Sequence, residues 1–131
     1  MSVLVWTDEK MALGREDIDQ AHREMVDLIN SVAEADKAAF PAAFQRLVSH
    51  TEEHFALEQK LMEISADPAR QEHEHQHTKL LGELAALELR VKRGQLQLAR
   101  AFVAERLPEW LRSHTSSMDS MLAAHLKSGQ N

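Results

Sequence analysis

Residues 73–91 read HEHQHTKLLGELAALELRV, and their spacing is that of an amphipathic helix. Steps of four and three residues alternate along one predicted face, which comprises His73, His77, Leu80, Leu84, Leu87 and Val91. The intervening Leu, Ala, Glu and Arg residues are strong helix formers. Because a helix with one apolar stripe must bury it against other elements, the stretch indicates a helical bundle.

Three further stretches have the same periodicity, and the scarce Gly and Pro residues, four and three in number, mostly lie where these helices begin or end. The helices are predicted over about residues 18–36, 41–64, 68–93 and 95–127. Pro108 is expected to kink or divide the last one. The sequence thus predicts an all-α, up-down-up-down four-helix bundle over about 18–127, behind an irregular arm over 1–17, in one domain spanning 1–131.

The predicted bundle core is apolar except where His, Glu or Thr interrupts it. Besides the face given above, its positions are Ile18, His22, Met25, Ile29 and Val32; then Phe44, Leu47, Thr51, His54, Glu58 and Leu61; then Leu107, Leu111, His114, Met118 and Met121. An unpaired imidazole or carboxylate in such a core costs a few kcal/mol. A lone buried histidine is more often structural than a ligand, but five or more polar groups converging from four helices are satisfied together by a shared cation.

The composition limits the chemistry of such a site. The 131 residues include eight histidines but no cysteine and no tyrosine, so nitrogen and oxygen must hold any metal. The formal net charge of −6 argues against nucleic acid and anionic membrane as partners. The beginning of the chain does not resemble a signal peptide, and no apolar run approaches the roughly 20 residues of a membrane span. A cytoplasmic location is therefore expected.

The spacing of the polar residues fits a metal site. His54 and Glu58 lie four residues apart, as do His73 and His77, so each pair projects from one helical face. Each helix can offer two ligands to one ion, or one ligand to each of two adjacent ions. Asp119 follows His114 by five residues, about 140° round an ideal helix. The sequence therefore predicts either a local π-bulge or a carboxylate that reaches sideways.

Two other metal motifs compete for these residues. Residues 73–77 match H-E-x-x-H, the zinc-protease motif, but Glu74 should point away from the predicted core and no strand is predicted. A ferritin-like di-iron site needs Glu-x-x-His on two helices, whereas here Glu72-x-x-His75 and Glu74-x-x-His77 overlap on one. The spacing favours neither.

In order and spacing, four segments resemble the bacterial hemerythrins: Ile18-Asp-Gln-Ala-His22, His54-Phe-Ala-Leu-Glu58, His73-x3-His77 and Trp110-Leu-Arg-Ser-His114-x4-Asp119. The resemblance covers nearly the whole chain, including Trp6 in the arm. It implies a non-haem di-iron site with a bridging oxo or hydroxo group. One iron would be held by His73, His77 and His114, the other by His22 and His54, and Glu58 and Asp119 would bridge them. Gln59 and Thr115 depart from the family pattern, at positions that are not ligands.

This ligand set leaves one coordination position open. Five imidazoles, two bridging carboxylates and a bridging oxygen fill all but one of the positions of two six-coordinate irons, and the vacancy is on the iron with two histidines. The resemblance implies that dioxygen binds there reversibly, for storage or delivery, and that the protein is not an enzyme. Nitric oxide or a small anion is an alternative ligand. The alternative functions are a sensor of oxygen, nitric oxide or redox state, a di-iron peroxidase or nitric oxide reductase, and a metal-free bundle.

An apolar pocket around the open position would exclude water and so protect the reduced irons. Its expected lining is Met25, Ile29, Phe55, Trp110 and Leu111, for which ordinary core packing is the alternative. The remaining histidines are not predicted to be ligands. His50 is expected near the site, His75 in solvent and His125 at a helix end.

Overall fold

Four long helical stretches make up the computed structural model of this chain, which describes residues 2–129. A short helix, α1 (Asp8–Met11), precedes three long ones, α2 (Glu16–Glu34), α3 (Phe40–Ser65) and α4 (Arg70–Lys92). The fourth stretch contains α5 (Gln97–Ala101), α6 (Leu107–His114) and α7 (Ser120–Ser128), joined by the π-helical segments Phe102–Arg106 and Thr115–Asp119. Residues 2–129 contain no strand, which confirms the all-α prediction.

The four stretches pack as a bundle because each buries its apolar face against its neighbours. α2 contacts α3, α3 contacts α4, and the fourth stretch contacts all three. Short connections join them, and Ala66 (φ 52°) and Gly94 (φ 79°) take left-handed conformations just after α3 and α4. The core contains fully buried large side chains from every long stretch, among them Ile29, Phe44, Leu47, Leu84 and Leu107.

The arm is more ordered than the sequence suggests. The prediction that residues 1–17 are irregular is wrong for α1, and α2 begins two residues earlier than expected; Met1 lies outside the described residues. Asn30 fixes the arm, since its Oδ1 accepts the amides of Val3 (2.9 Å) and Leu4 (3.1 Å) and its Nδ2 donates to the Leu4 carbonyl (2.7 Å). The buried Leu4 extends the core beyond the four helices.

The third long helix begins later than predicted. The sequence places Pro68 in its first turn, but α4 starts at Arg70. Asp67 instead closes a separate turn, in which its Oδ1 accepts the Ala69 amide at 3.1 Å and its carbonyl accepts the Arg70 amide at 3.1 Å. An Asp side chain that bonds the backbone two residues later stabilises a turn in place of a helical start.

Pro108 does not divide the last helical stretch. The π-helical segment Phe102–Arg106 ends two residues before it, and the Leu107 amide bonds the Phe102 carbonyl, five residues back. A proline inside an α-helix lacks the N–H for the usual hydrogen bond, and its ring clashes with the carbonyl four residues earlier. The wider π-helical turn accommodates both effects, so the helix continues past Pro108.

The second π-helical segment, Thr115–Asp119, changes the register of everything after it. The α-helical pattern predicts that Met121 faces the core, but it is 50% exposed, whereas Leu122 is fully buried. A π-helical turn accommodates an additional residue, so each later position is displaced by about one residue from the α-helical pattern. The prediction for Met121 is wrong for this reason, and the same displacement brings Asp119 to the core.

Candidate metal centre

Seven polar side chains from the four helical stretches meet inside the bundle. They comprise His22 from α2, His54 and Glu58 from α3, His73 and His77 from α4, His114 at the end of α6 and Asp119 at the end of the second π-helical segment. None is more than 5% exposed. They form two groups, Glu58, His73, His77, His114 and Asp119 in one and His22, His54, Glu58 and Asp119 in the other, and the potential ligand atoms within each lie within 4.8 Å of one another. Both carboxylates belong to both groups.

Glu58 presents one carboxylate oxygen to each group. Its Oε1 lies 3.0 Å from His73 Nε2 and 3.1 Å from His77 Nε2. Its Oε2 lies 2.7 Å from His54 Nε2 and 3.7 Å from His22 Nε2. The carboxylate thus lies between two histidines of the first group and two of the second.

Asp119, from the fourth helical stretch, likewise presents one carboxylate oxygen to each group. Its Oδ1 lies 3.0 Å from His73 Nε2 and 3.1 Å from His114 Nε2, and its Oδ2 lies 2.9 Å from His22 Nε2. The π-helical segment makes this possible, because at about 4.4 residues per turn a step of five residues brings Asp119 back to the face of His114. Of the two alternatives predicted for this pair, the structure has the π-bulge.

Several of these close contacts lack the geometry of hydrogen bonds. Both oxygens of Asp119 and Oε2 of Glu58 are buried without a hydrogen-bond partner among the described residues, although imidazole nitrogens lie within about 3 Å of them. A buried carboxylate oxygen without a donor is costly. Nitrogens and oxygens this close that are not aligned with one another can be satisfied by a cation between them, so the residues fit a metal.

The separations between the ligand atoms also indicate a coordination geometry. At a metal–ligand length of about 2.1 Å, neighbouring ligands are about 3.0 Å apart in an octahedron and about 3.4 Å apart in a tetrahedron. Seven of the eight close pairs, including His77 Nε2 to His114 Nε2 at 3.1 Å, lie between 2.7 and 3.1 Å. These distances match octahedral sites better than the tetrahedral sites that are typical of structural zinc.

The pKa values in the metal-free cluster follow from two buried negative charges. Burial by itself raises the pKa of Glu58, but the imidazoles of His54, His22 and His73 hold it well below its usual range. Burial and the charge of Glu58 likewise act to raise the pKa of Asp119, yet the surrounding histidines lower it to about 2. Both carboxylates are therefore ionised at neutral pH.

Two histidines supply the compensating charge. Burial by itself lowers the pKa of His22 and of His73, but the adjacent Asp119 and Glu58 carboxylates outweigh it and raise both pKa values to about 9. His77 behaves differently, since burial and the neighbouring His73 and His114 lower its pKa. Without metal, protons on His22 and His73 balance the two carboxylates, and metal binding must release them.

The stability of the metal-free protein is expected to fall as the pH rises from about 6.5 to 9.5. The folded-state pKa values of His22 and His73 lie above the unfolded value of 6.5, so their contribution is complete below about pH 6.5 and is lost as the pH passes about 9. Asp119 acts in the opposite sense, since its contribution is lost as the pH falls from about 4 to about 2.

Thermal unfolding at pH 6, 7.5 and 9.5, with and without bound metal, checks this expectation. The metal-loaded protein should not lose stability as the pH rises, because bound metal replaces the protons on His22 and His73. A melting temperature of the metal-free protein that stays constant or rises over this range would contradict the assigned charges.

The predicted pocket residues lie in the main apolar cluster or against it. Phe55 stacks on His77, with ring centroids 3.8 Å apart and an interplanar angle of 3°, and Trp110 stacks on His114 at 4.4 Å and 13°. Both rings therefore cover imidazoles of the group with three histidines, although Phe55 also lies 5.7 Å from His54. Met25, Ile29 and Leu111 are at most 1% exposed and belong to the same apolar cluster as Phe55. The oxygen pocket stays a prediction.

The other three histidines lie outside the cluster. His50 stacks near His54, with centroids 6.3 Å apart, but its Nε2 bonds the Ala21 carbonyl at 3.0 Å and so ties α3 to α2. His125 bonds the Ser65 carbonyl at the end of α3 at 2.8 Å. His75 is exposed, as expected.

Two residues of the H-E-x-x-H motif have roles that the motif does not indicate. Glu74 points away from the cluster, and its Oε1 accepts from Arg70 Nε at 3.0 Å, so it is not placed as the base of a zinc protease. Gln76 is a residue that the sequence pattern does not single out, although its Oε1 lies 2.8 Å from Nδ1 of His114. A hydrogen bond between side chains of two different helices, such as Gln76 on α4 and His114 on α6, does not recur at helical spacing. No pattern in the sequence could therefore have indicated it.

Comparison with known proteins agrees with this geometry. The family model described as "Hemerythrin HHE cation binding domain" matches residues 13–126 of the sequence, which include all seven residues of the cluster. The chain belongs to the hemerythrin family. That result confirms the resemblance drawn from the four segments.

Relatives with the same family name cover most of the chain. The bacteriohemerythrin of Ralstonia nicotianae is 35% identical over 126 residues, 96% of this chain and 90% of that protein. The bacteriohemerythrin of Stenotrophomonas maltophilia is 29% identical over 135 residues, 100% of this chain and 86% of that protein. Shared family and shared length together support a common fold.

Solved hemerythrin structures show that fold. A wild-type hemerythrin superposes with a TM-score of 0.86 at 20% identity, over 94% of this chain and 97% of that chain. A hemerythrin variant gives a TM-score of 0.88 at 19% identity, over 96% and 98%. The prediction of a four-helix bundle is therefore confirmed. Within residues 2–129, no helix is long and apolar enough to cross a membrane.

Proposed function

We propose that this hemerythrin-family chain binds dioxygen reversibly at a non-haem di-iron centre, for storage or delivery, and does not act as an enzyme. The observation that carries the proposal is the division of both buried carboxylates between unequal groups of histidines. Each carboxylate offers one oxygen to a metal held by three imidazoles and the other to a metal held by two. The chain would thus hold two metals side by side with different numbers of ligands.

The unequal number of histidines in the two groups supports a role in binding a small ligand. With one oxygen from each carboxylate and a bridging oxo or hydroxo, the three-histidine group would supply six ligands to an iron, whereas the two-histidine group would supply five. When bound, the iron pair supplies electrons and one open position for a small ligand such as dioxygen or nitric oxide. No second position is left beside it for a substrate, which favours a carrier over an oxidase.

The chain's own side chains would orient the centre and keep water away from it. Phe55 and Trp110 pack flat on His77 and His114 and limit the rotation of these imidazoles. Met25, Ile29 and Leu111 are buried side chains of the main apolar core, and none of them offers a proton donor. A dry environment of this kind slows the loss of reducing equivalents to solvent. A cytoplasmic location stays a prediction of the sequence.

Reversibility is tested by oxygen cycling. We expect the iron-loaded protein, reduced without air, to develop a visible absorption band when oxygen is admitted and to lose it under inert gas over repeated cycles. A band that decays irreversibly within one cycle, or no band at all, would contradict a carrier. Catalytic turnover with peroxide or nitric oxide, measured on the same samples, would favour one of the enzymatic alternatives.

Leu111→Ala is expected to speed autoxidation. Leu111 is 1% exposed and lies one helical turn before His114, so its removal opens space near the centre for water. The variant should also lose about 2–5 kcal/mol of unfolding free energy, as buried leucines typically do. The rate at which the oxygenated absorption decays to that of oxidised protein measures the effect.

Leu84→Ala is the matched control, because Leu84 is equally buried in the same apolar cluster but lies two turns beyond His77 on α4. It should lose similar stability without a comparable rise in autoxidation. Equal rates in the two variants would show that general loosening, and not a role of Leu111 at the centre, causes the change.

A further inference from the structure

The clustered histidines differ in the hydrogen bonding of Nδ1, the ring nitrogen that points away from the cluster. The Nδ1 atoms of His22, His54 and His73 are buried without a hydrogen-bond partner among residues 2–129. His114 differs from them, since its Nδ1 lies 2.8 Å from Oε1 of Gln76 on the neighbouring helix α4. A metal-binding imidazole takes its orientation and tautomer from the bond that its other nitrogen makes.

The amide of Gln76 has a defined orientation of its own. Its Nε2 donates to Oε1 of Glu72, one turn earlier on α4, at 3.4 Å. With the NH2 group directed to a carboxylate, the amide oxygen is left to accept from His114, so Nδ1 of His114 carries the proton and Nε2 faces the cluster. Trp110, stacked 4.4 Å from the His114 ring, prevents that ring from turning away. Glu72, Gln76 and His114 thus form a hydrogen-bonded chain from the protein surface to the cluster.

We propose that Gln76 is a positioning residue which fixes the tautomer of His114 and, through the strength of its bond to Nδ1, sets how readily the adjacent iron is oxidised. The second half of this inference rests on the proposed di-iron function; the first half does not. A neutral amide accepts the Nδ1 proton more weakly than a carboxylate would. His114 is therefore a weaker electron donor than a carboxylate-bound imidazole, which favours the ferrous state that binds oxygen.

Two variants separate this role from simple packing. Gln76→Leu removes the acceptor, and the leucine side chain also hinders water from taking its place. The exchange Glu72→Gln with Gln76→Glu puts a carboxylate against His114 and an amide behind it, so the acceptor changes while the net charge does not. Gln71→Leu, at an exposed position of α4, is the control for the loss of one glutamine.

The tautomer and the zinc affinity are measured on protein without iron. Nitrogen-15 NMR of the metal-free protein should find the Nδ1–H tautomer of His114 in the native chain and in the exchange variant, and a mixture of tautomers in Gln76→Leu. Competition with a chelator should find Zn²⁺ bound about 10- to 100-fold more weakly by Gln76→Leu and near-native binding by the exchange variant. Native tautomer and native zinc affinity in Gln76→Leu would overturn the positioning role. Neither readout depends on iron or oxygen, so failure here is distinct from failure of the proposed function.

The reduction potential of the iron-loaded proteins tests the tuning. We expect the potential of Gln76→Leu above the native value and that of the exchange variant below it, with a total span of at least about tenfold in the ferrous–ferric equilibrium, or 59 mV for one electron. A purely structural role would shift both variants in one direction. Equal potentials in the three proteins, or shifts of the same sign, would overturn the tuning role.

Discussion

Glu58→Gln is expected to reduce bound iron from about two atoms per chain to less than one. Glu58 is fully buried, and its two oxygens face histidines of both groups, so the change weakens both metal positions at once. The amide keeps the volume of the side chain but replaces one oxygen with an NH2 group, which cannot be a ligand. Loss of a residue that only hydrogen-bonds to a metal ligand costs about 10–100-fold in metal affinity, so loss of a bridging ligand should cost more.

Glu53→Gln is the matched control, since Glu53 lies on the same helix and is exposed. Iron analysis after reconstitution, with circular dichroism to verify helicity, provides the measurement. If Glu58→Gln kept two irons per chain and the native spectrum, Glu58 could not be a bridging ligand.

The double variant His22→Ala with His54→Ala is expected to keep one iron per chain and to lose its response to oxygen. The three-histidine group retains all its nitrogens together with Oε1 of Glu58 and Oδ1 of Asp119. The other group retains only the second oxygen of each carboxylate, which is too few ligands to compete for iron. Since the open position would belong to this second group, the oxygen-dependent absorption band should disappear.

The control removes two histidines outside the cluster, His75→Ala with His125→Ala, and should leave both iron and oxygen binding intact. Iron content and oxygen-dependent absorption are measured on both double variants. Two irons in the His22→Ala, His54→Ala protein, or none, would contradict the division of the seven side chains into two metal positions.

Much of this centre is predictable from the sequence because metal ligands on helices obey the same periodicity as a core. His54 and Glu58, and likewise His73 and His77, lie four residues apart, so their spacing alone places each pair on one helical face. The converging polar positions in an apolar core indicate a shared cation, and the order of the four segments indicates the family that the comparisons confirm.

The features that are not predictable depend on deviations from ideal helices and on contacts between them. An ideal periodicity places Met118 and Met121 in the core, whereas the π-helical segment puts Asp119 and Leu122 there. The sequence predicts an irregular arm because nothing local in residues 1–17 indicates how Asn30, 26 residues away in sequence, bonds to Leu4. Hydrogen bonds between side chains of different elements do not affect the spacing of apolar and polar residues in the sequence.

Anomalous diffraction at the iron edge tests most directly whether these seven side chains hold two irons bridged by Glu58 and Asp119. We predict two iron peaks inside the bundle in crystals of the iron-loaded protein. One should lie among Nε2 of His73, His77 and His114, the other between Nε2 of His22 and His54, with both carboxylates between them. A single peak, or iron bound anywhere outside this cluster, would contradict the assignment of a bridged di-iron centre.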